Sequence, residues 1–158
     1  MKNLLKVIIC LIVLFSVTEA NAQKKVGGGV WYATEMENIG ISINGAYFIS
    51  DNFSVAPSFT YFLEKNNVGW SMLDLDVNYS FTELDFGNLY GIGGLNLSFV
   101  SVDLGAWGGK VSATNTNFNL GVGLGMPIGD NMTLCPEVRY TFGDGDFLRI
   151  GVKLLIEI

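Results

Sequence analysis

The last twelve residues of the chain alternate between two kinds of side chain. Apolar residues occupy every second position from Leu148 to Ile158, and the positions between them include Arg149, Lys153 and Glu157. Because successive side chains of a β-strand point to opposite faces, this pattern predicts a strand with one apolar and one charged face. The predicted strand runs to Ile158.

Seven earlier segments show the same kind of alternation. The eight predicted strands cover residues 25–33, 38–50, 53–63, 70–81, 87–101, 115–128, 132–142 and 147–158. All exceed the roughly 5 to 6 residues of a typical globular strand, and they reach or exceed the ~9 to 11 residues that a tilted strand needs to cross hydrocarbon. The predicted fold class is therefore all-β, an eight-stranded antiparallel up-and-down barrel that spans a membrane.

Two of these segments are irregular. The first contains the run Gly27-Gly28-Gly29, and in the fifth the apolar phase changes between Ile92 and Leu95. An extra residue in a strand shifts the alternation in this way, and glycines often mark the position. We therefore predict a β-bulge at Gly93-Gly94.

The first 22 residues have the pattern of a secretion signal. Lys2 and Lys6 flank the start of the apolar run 7–15, which is followed by the small residues of Ala20-Asn21-Ala22. The run is well short of the ~20 apolar residues that a spanning helix requires. We predict a cleaved signal peptide over residues 1–22 and a single barrel domain over residues 23–158.

Composition supports a membrane environment and limits the partners. Charged residues make up 15% of the chain, whereas soluble domains carry about 25%. After residue 22 the sequence contains 7 basic and 14 acidic residues, a formal net charge of −7. Nucleic acid and other polyanions attract basic surfaces, so nucleic acid is not an expected partner.

Cys135 is the only cysteine after residue 22, so no disulfide can form within the predicted barrel.

Alternation alone leaves two orientations open, with the apolar face outward to lipid or inward around a ligand. The stretch Gly29-Val30-Trp31-Tyr32 resembles the Gly-x-Trp-Tyr stretch of soluble lipocalins, which implies, as an alternative, an exported carrier of a hydrophobic small molecule. However, the polar face consists mostly of Gly, Ser, Asn and Thr rather than of the charged residues that a water-facing surface requires. Small polar residues fit the crowded interior of a narrow barrel, so the apolar face is expected to face lipid.

The few charges on the polar phase form the main candidate site. They are Asp74, Asp76, Glu137, Arg139, Arg149, Lys153 and Glu157. A buried charge without a partner is very costly, so we expect these groups to pair across adjacent strands, above all between the last two. Eight strands leave an interior just wide enough for side chains, which favours a salt-bridge network that fills the barrel over an ion pathway. A narrow pore remains the alternative.

The connections between strands are short, with one exception. The segment from Val102 to Thr114 is long enough to recognise a partner, and it contains Asp103, Trp107 and Lys110. If both termini are periplasmic, this loop faces outside. Outward-phase aromatic residues also gather near the strand ends, which predicts interfacial girdles; they are Tyr47, Phe53, Tyr79, Phe81, Tyr140 and Phe142.

As a pattern, residues 23–158 resemble the small eight-stranded OmpX-like and OmpA-like outer-membrane barrels of Gram-negative bacteria. These barrels usually end on Phe or Trp, whereas this chain ends on Ile158. The resemblance implies residence in the outer membrane, contact with its lipid and lipopolysaccharide, and insertion by the outer-membrane assembly machinery. It also implies a structural or surface-interaction role, with an accessory subunit of an envelope complex as a further alternative.

No catalytic, metal or cofactor site is predicted. Asp74 and Asp76 share a strand face, but no nucleophile or third carboxylate accompanies them in a local motif. The sequence contains no histidine, and the lipid-modifying families of outer-membrane barrels use a catalytic histidine. We therefore expect a protein that is not an enzyme.

Overall fold

The computed structural model describes residues 23–65, 67–103, 109–143 and 146–158. Its eight strands are β1 (Lys24–Ala33), β2 (Asn38–Phe48), β3 (Phe53–Lys65), β4 (Val68–Leu84), β5 (Gly87–Asp103), β6 (Lys110–Ile128), β7 (Met132–Phe142) and β8 (Phe147–Glu157). Each strand pairs antiparallel with the next and β8 pairs with β1, so the sheet closes into a barrel. The predicted all-β, eight-stranded up-and-down barrel is confirmed.

The predicted signal peptide, residues 1–22, lies outside the described residues. None of the described residues forms a helix long and apolar enough to cross a bilayer. Both ends of the described chain lie at the same end of the barrel as the turns 49–52, 85–86 and 129–131, because the strand number is even. We call this the terminal end and the opposite one the loop end.

The apolar face of the sheet points outward. On β6, Phe118, Leu120 and Val122 are 53%, 64% and 52% exposed, whereas Asn117 and Asn119 between them are buried. The same alternation holds on the other strands, so large apolar side chains cover the outside of the barrel. Since a lipocalin-like carrier needs the reverse arrangement, that alternative is wrong.

Aromatic side chains mark both edges of this apolar belt. At the terminal end the rings of Phe53 and Tyr79 lie 4.8 Å apart, and at the loop end those of Phe118 and Phe142 lie 6.0 Å apart. From Phe118 to Ile128, β6 spans about 34 Å at ~3.4 Å per residue, which at a tilt of ~45° gives a height of roughly 24 Å. That height matches the apolar band of an outer-membrane barrel.

The predicted bulge at Gly93-Gly94 is wrong. The β4–β5 ladder passes through Val77–Gly93 and Asp76–Gly94 without a shift, and the irregularities lie near Ser80 and Phe62 instead. The apparent change of phase arises because Tyr90 and Ile92 face the interior, where both are buried. Tyr90 fits there since a Cβ at Gly123 would lie only 2.4 Å from its ring.

The three longest strands exceed their predicted lengths. β4, β5 and β6 contain 17, 17 and 19 residues, and β5 and β6 remain paired out to Asp103 and Lys110. The connection predicted to run from Val102 to Thr114 is therefore largely strand. Val102 faces Val111 across the ladder, and such β-branched pairs stabilise an extended hairpin beyond the membrane band.

Candidate functional site

The interior of the barrel is layered along its axis. At the loop end, inward side chains form an apolar cluster of Trp31, Ala33, Phe62, Met72 and Phe147. At the terminal end, Ala46, Cys135 and Leu155 form a second, smaller cluster against Phe48. Between the two clusters lies a layer of buried charges, which contains six of the seven residues that the sequence singled out.

Asp74 of β4 is the first centre of this layer and is almost fully buried. Its two carboxylate oxygens each accept a 2.9 Å hydrogen bond from the guanidinium of Arg149. Asn96 and Asn119 donate to its Oδ1 at 2.7 and 2.8 Å, and Ser58 donates to its Oδ2 at 3.2 Å. A two-pronged contact with arginine plus three neutral donors satisfies the carboxylate, which a buried charge requires.

Arg139 of β7 is the second centre and joins two more carboxylates. Its Nη1 donates to Asp76, and its Nε and Nη2 lie 2.8 and 2.6 Å from Oε2 of Glu137. The other oxygen of Glu137 lies 2.5 Å from Nζ of Lys153 and accepts a 2.7 Å hydrogen bond from the Tyr90 hydroxyl. Each buried carboxylate in the layer therefore has a cationic partner.

Asn119 of β6 connects the two centres. Its Nδ2 donates to Asp74 and Asp76 at 2.8 and 2.9 Å. Its Oδ1 accepts hydrogen bonds from Thr141 at 2.8 Å and from Arg149 at 2.9 Å. The charges thus form one continuous network, the central network, which runs from β4 through the lumen to β7 and β8.

Trp31 of β1 covers the central network on its loop side. The guanidinium carbons of Arg139 and Arg149 lie 4.8 and 5.9 Å from its ring centroid, which is within the range of cation–π attraction. Its Nε1 donates a 2.9 Å hydrogen bond to Ser42. The ring also lies directly on the backbone of Gly151, where a Cβ would be 2.4 Å away.

The network differs from the sequence prediction in two respects. Glu157 does not belong to it, because it is the last residue of β8, where it is exposed and accepts a 2.5 Å hydrogen bond from Gln23. Secondly, the ion pairs of Asp74 and Asp76 do not join adjacent strands as expected. They reach across the lumen to Arg149 and Arg139, since the barrel is narrow enough for opposite walls to touch.

Sequence reasoning missed the neutral members of the network. They are Trp31, Ser58, Tyr90, Asn96, Asn119 and Thr141, and they supply most of its hydrogen bonds beyond the ion pairs. Each lies at an inward position of the alternation along its strand, and this alternation was the available signal in the sequence. The alternation places a side chain in the lumen but does not say which other side chain it contacts there.

The chemistry of this layer is that of a filled interior. Three carboxylates and three cations cancel, and the carboxylate oxygens contact guanidinium, ammonium, amide or hydroxyl groups. Among the residues that the structure describes, no group of three or more His, Cys, Asp and Glu side chains could hold a metal ion. Asp74 and Asp76, the one pair with a conceivable acid–base role, both contact arginine.

The predicted recognition segment lies at the loop end. Asp103 ends β5, Lys110 begins β6, and the two are register partners, whereas Trp107 lies outside the described residues. Pairing between β6 and β7 stops at Phe118 and Phe142. Among the residues described, none pairs with residues 110–116 on the β7 side of β6.

We call residues 99–103 and 110–116 the projecting hairpin. From Phe118 to Lys110 the hairpin continues for about 27 Å along the strand at ~3.4 Å per residue, well past the aromatic edge of the apolar belt. The described charges around it are mostly acidic, namely Glu35, Glu37, Glu64, Asp103 and Asp146. Lys65 is an exception and lies 3.5 Å from Glu37.

Comparisons with known proteins agree with this architecture. A family model described as "Outer membrane protein beta-barrel domain" matches residues 7–151. No curated protein matches the sequence significantly.

Several solved structures have the same fold. The N-terminal β-barrel domain of Pseudomonas aeruginosa OprF is 16% identical, with 87% of this chain and 100% of that chain covered and a TM-score of 0.64. Ail, the attachment invasion locus protein of Yersinia pestis, is 14% identical, with 87% of this chain and 97% of that chain covered and a TM-score of 0.63. Neisserial surface protein A is 16% identical, with 87% of this chain and 96% of that chain covered and a TM-score of 0.61. Ail has also been solved with the heparin analogue sucrose octasulfate. At these identities the likeness concerns the fold alone.

Proposed function

The chain belongs to the outer membrane protein β-barrel domain family, and on that premise we propose that it is a non-enzymatic surface-interaction protein of the outer membrane. The observation that carries the proposal is the abrupt end of the β6–β7 ladder at Phe118 and Phe142. Beyond it the projecting hairpin continues, paired with β4 through β5 as far as Val102 but with no described partner on the β7 side of β6. The barrel then serves as its rigid base.

The filled interior favours a barrel that supports the projecting hairpin over one that forms a channel. The central network pairs its six charges with one another, and Trp31, Phe62 and Phe147 close the lumen on the loop side of it. An ion that crossed this layer would have to displace buried ion pairs, which are strongly coupled in a low-dielectric interior. We therefore propose that the barrel does not conduct, and that its carboxylates hold the walls together rather than act on a substrate.

The projecting hairpin has the properties of a recognition element. Residues 110–116 present a strand edge that has no partner among the described residues, and an extended segment of a partner can add to such an edge through backbone hydrogen bonds. The acidic residues around it, including Glu64, Asp103 and Asp146, favour a basic partner segment. The likeness to Ail, whose name records attachment, is consistent with such a role. The acidic rim disfavours a sulfated polysaccharide as the ligand of this chain.

Export and orientation are part of the same proposal. We infer that residues 1–22 are removed, that both termini are periplasmic, and that the loop end faces outside. The outer-membrane assembly machinery would then insert the barrel. The rim residues would meet lipopolysaccharide around the base of the hairpin.

Shortening the hairpin tests the proposed function. Phe99 and Thr114 are register partners, so residues 100–113 can be replaced by an Asn-Gly turn, which suits a two-residue hairpin. We expect the shortened barrel to keep its heat-dependent mobility on gels. We also expect attachment of expressing cells to fibronectin-, laminin- or collagen-coated surfaces to fall to the level of cells without the protein.

The comparison needs two controls. Cells without the protein set the background, and a heparin-coated surface, which the acidic rim should not favour, sets the polyanion response. Attachment that survives the deletion would contradict the proposal. So would a full-length chain that attaches to heparin alone or to none of the protein-coated surfaces.

A further inference from the structure

A second feature of the interior lies below the central network, towards the terminal end. A cavity of about 220 Å³ opens there, and all eight strands contribute residues to its wall. Tyr90 and Lys153 form its ceiling beneath Glu137, and Gln23 lies at its rim. We call this cavity the terminal chamber. At ~30 Å³ per water molecule, its volume is roughly that of seven waters, or of one small organic molecule.

The terminal chamber carries an excess of positive charge. Lys25 and Lys153 line it, and none of its lining residues is acidic. The charge of Lys153 is already matched by Glu137 at 2.5 Å, within a network whose charges cancel. Lys25 is therefore the surplus cation.

The contacts of Lys25 leave this charge uncompensated. Its Nζ donates a 3.0 Å hydrogen bond to Thr133 and lies 5.5 Å from the ring centroid of Phe48. Within the described part of the chain, no carboxylate lies within 4.0 Å of it. Glu157 is its register partner on β8, but its Oε2 accepts from Gln23 instead and it does not line the chamber.

The rest of the wall suits a ligand with a polar and an apolar part. Ser54, Ser80 and Asn88 supply hydroxyl and amide groups, and the Oδ1 atom of Asn78 is buried with no hydrogen-bond partner among the described residues. Phe48, Ala46 and Leu155 supply apolar surface. A polar atom without a partner in such a wall is costly, and a hydroxyl or amide donor that the bound molecule carries beside its anionic group would satisfy it.

We propose that the terminal chamber binds a small organic anion, with its carboxylate or sulfonate group at Lys25 and its apolar part against Phe48 and Leu155. This site lies at the opposite end of the barrel from the projecting hairpin. It stands independently of the surface-interaction role. It also opens towards the end that carries the chain termini.

Cys135 provides a reporter inside the chamber. It lines the wall and is the only cysteine after residue 22. Methanethiosulfonate reagents with an anionic, a cationic or a neutral tail transfer that tail to a thiolate as a disulfide and release methanesulfinate. The folded barrel in detergent micelles is labelled with each reagent, and the reference is an Asp130→Cys, Cys135→Ser variant with its thiol on the exposed turn 129–131.

Two results are expected. The ratio of anionic to cationic labelling rates should be about tenfold higher at Cys135 than at the turn, as one nearby unit charge would produce in a partly screened site. In addition, 50 mM propanesulfonate should slow labelling of Cys135 by the neutral reagent at least threefold, whereas propyltrimethylammonium should not.

A matched pair of variants assigns the effect to one side chain. Lys25→Met should abolish both the charge preference and the protection. Lys24→Met removes the same charge one position away, where the ammonium lies outside the barrel over Tyr47, and should leave both unchanged. Heat-dependent gel mobility checks that each variant is folded.

Three outcomes would overturn the proposal. They are a labelling ratio equal to that of the exposed turn, no protection by propanesulfonate, or equal effects of the two lysine variants. A Cys135 that reacts only after unfolding in urea would also count against it, because a chamber closed to small anions cannot bind them.

Discussion

Arg149→Met is expected to lower the free energy of unfolding by about 3 to 5 kcal/mol, because it leaves a buried carboxylate without its cation. Arg149 donates to both oxygens of Asp74 and also to Asn119 and Thr141. Methionine fills most of the same volume, so the loss reports the charge rather than a cavity. Urea unfolding in lipid vesicles, followed by the ratio of folded to unfolded gel bands, measures it.

A second substitution separates charge from packing. Asp74→Asn in the Arg149→Met background removes the unpaired anion, and we expect it to restore at least half of the lost stability. The control is Lys65→Met, which breaks the exposed pair with Glu37 and should cost no more than about 0.5 kcal/mol. A double variant less stable than Arg149→Met alone would show that the central network does not work as described.

Val122→Arg is expected to cost about 2 to 4 kcal/mol, since it places a charge on the lipid face near the middle of the bilayer. Val122 points outward and lies between Phe118 and Ile128, the edges of the apolar belt on β6. The matched control is Ser112→Arg on the same strand and the same outward phase. It lies six residues beyond Phe118, in the projecting hairpin, where water replaces lipid.

The same urea titration in vesicles measures both arginine variants. Ser112→Arg should stay within about 0.5 kcal/mol of the unaltered chain, as exposed substitutions do. Equal losses at positions 112 and 122 would mean that lipid does not begin at Phe118. A Val122→Arg variant as stable as the unaltered chain would contradict the conclusion that the outward apolar face contacts lipid.

The fold followed from the sequence because a membrane barrel imposes a period of two on every strand. On β6 and β7 the apolar phase, Phe118 to Met126 and Leu134 to Phe142, agrees with the side chains that point outward, which are exposed or half-buried. Lipid outside and polar side chains inside give each residue one of two environments. The alternation of apolar and polar residues in the sequence is therefore enough to assign each side chain to the lipid face or to the interior.

The sequence did not show where each side chain lies along the barrel axis or which side chains it contacts. Parity put Glu157 inside, but the strand ends there and the side chain reaches water. Tyr90 and Ile92 looked like a change of phase, although they fill the lumen opposite glycines such as Gly123. These differences depend on where a strand ends and on which residue of the next strand lies beside a given side chain, and the alternation within one strand encodes neither.

The extent of the projecting hairpin was missed for a related reason. Its strands carry Ser, Thr and Ala outside the lipid belt, so the apolar alternation fades before the ladder ends. Backbone pairing between Phe99–Asp103 and Lys110–Thr114 continues regardless of that pattern. The apolar alternation of β6 stops at Phe118, whereas the β5–β6 ladder continues beyond it to Lys110.

We expect the projecting hairpin to stand outside the cell and the chain termini to lie in the periplasm. In a Cys135→Ser background, Ser112→Cys marks the hairpin and Asp130→Cys marks the turn 129–131 at the opposite end. A membrane-impermeant maleimide is added to intact cells and to cells with a permeabilised outer membrane. Residue 112 should be labelled in both samples, and residue 130 only after permeabilisation. Labelling of residue 130 on intact cells, with residue 112 protected, would contradict this orientation.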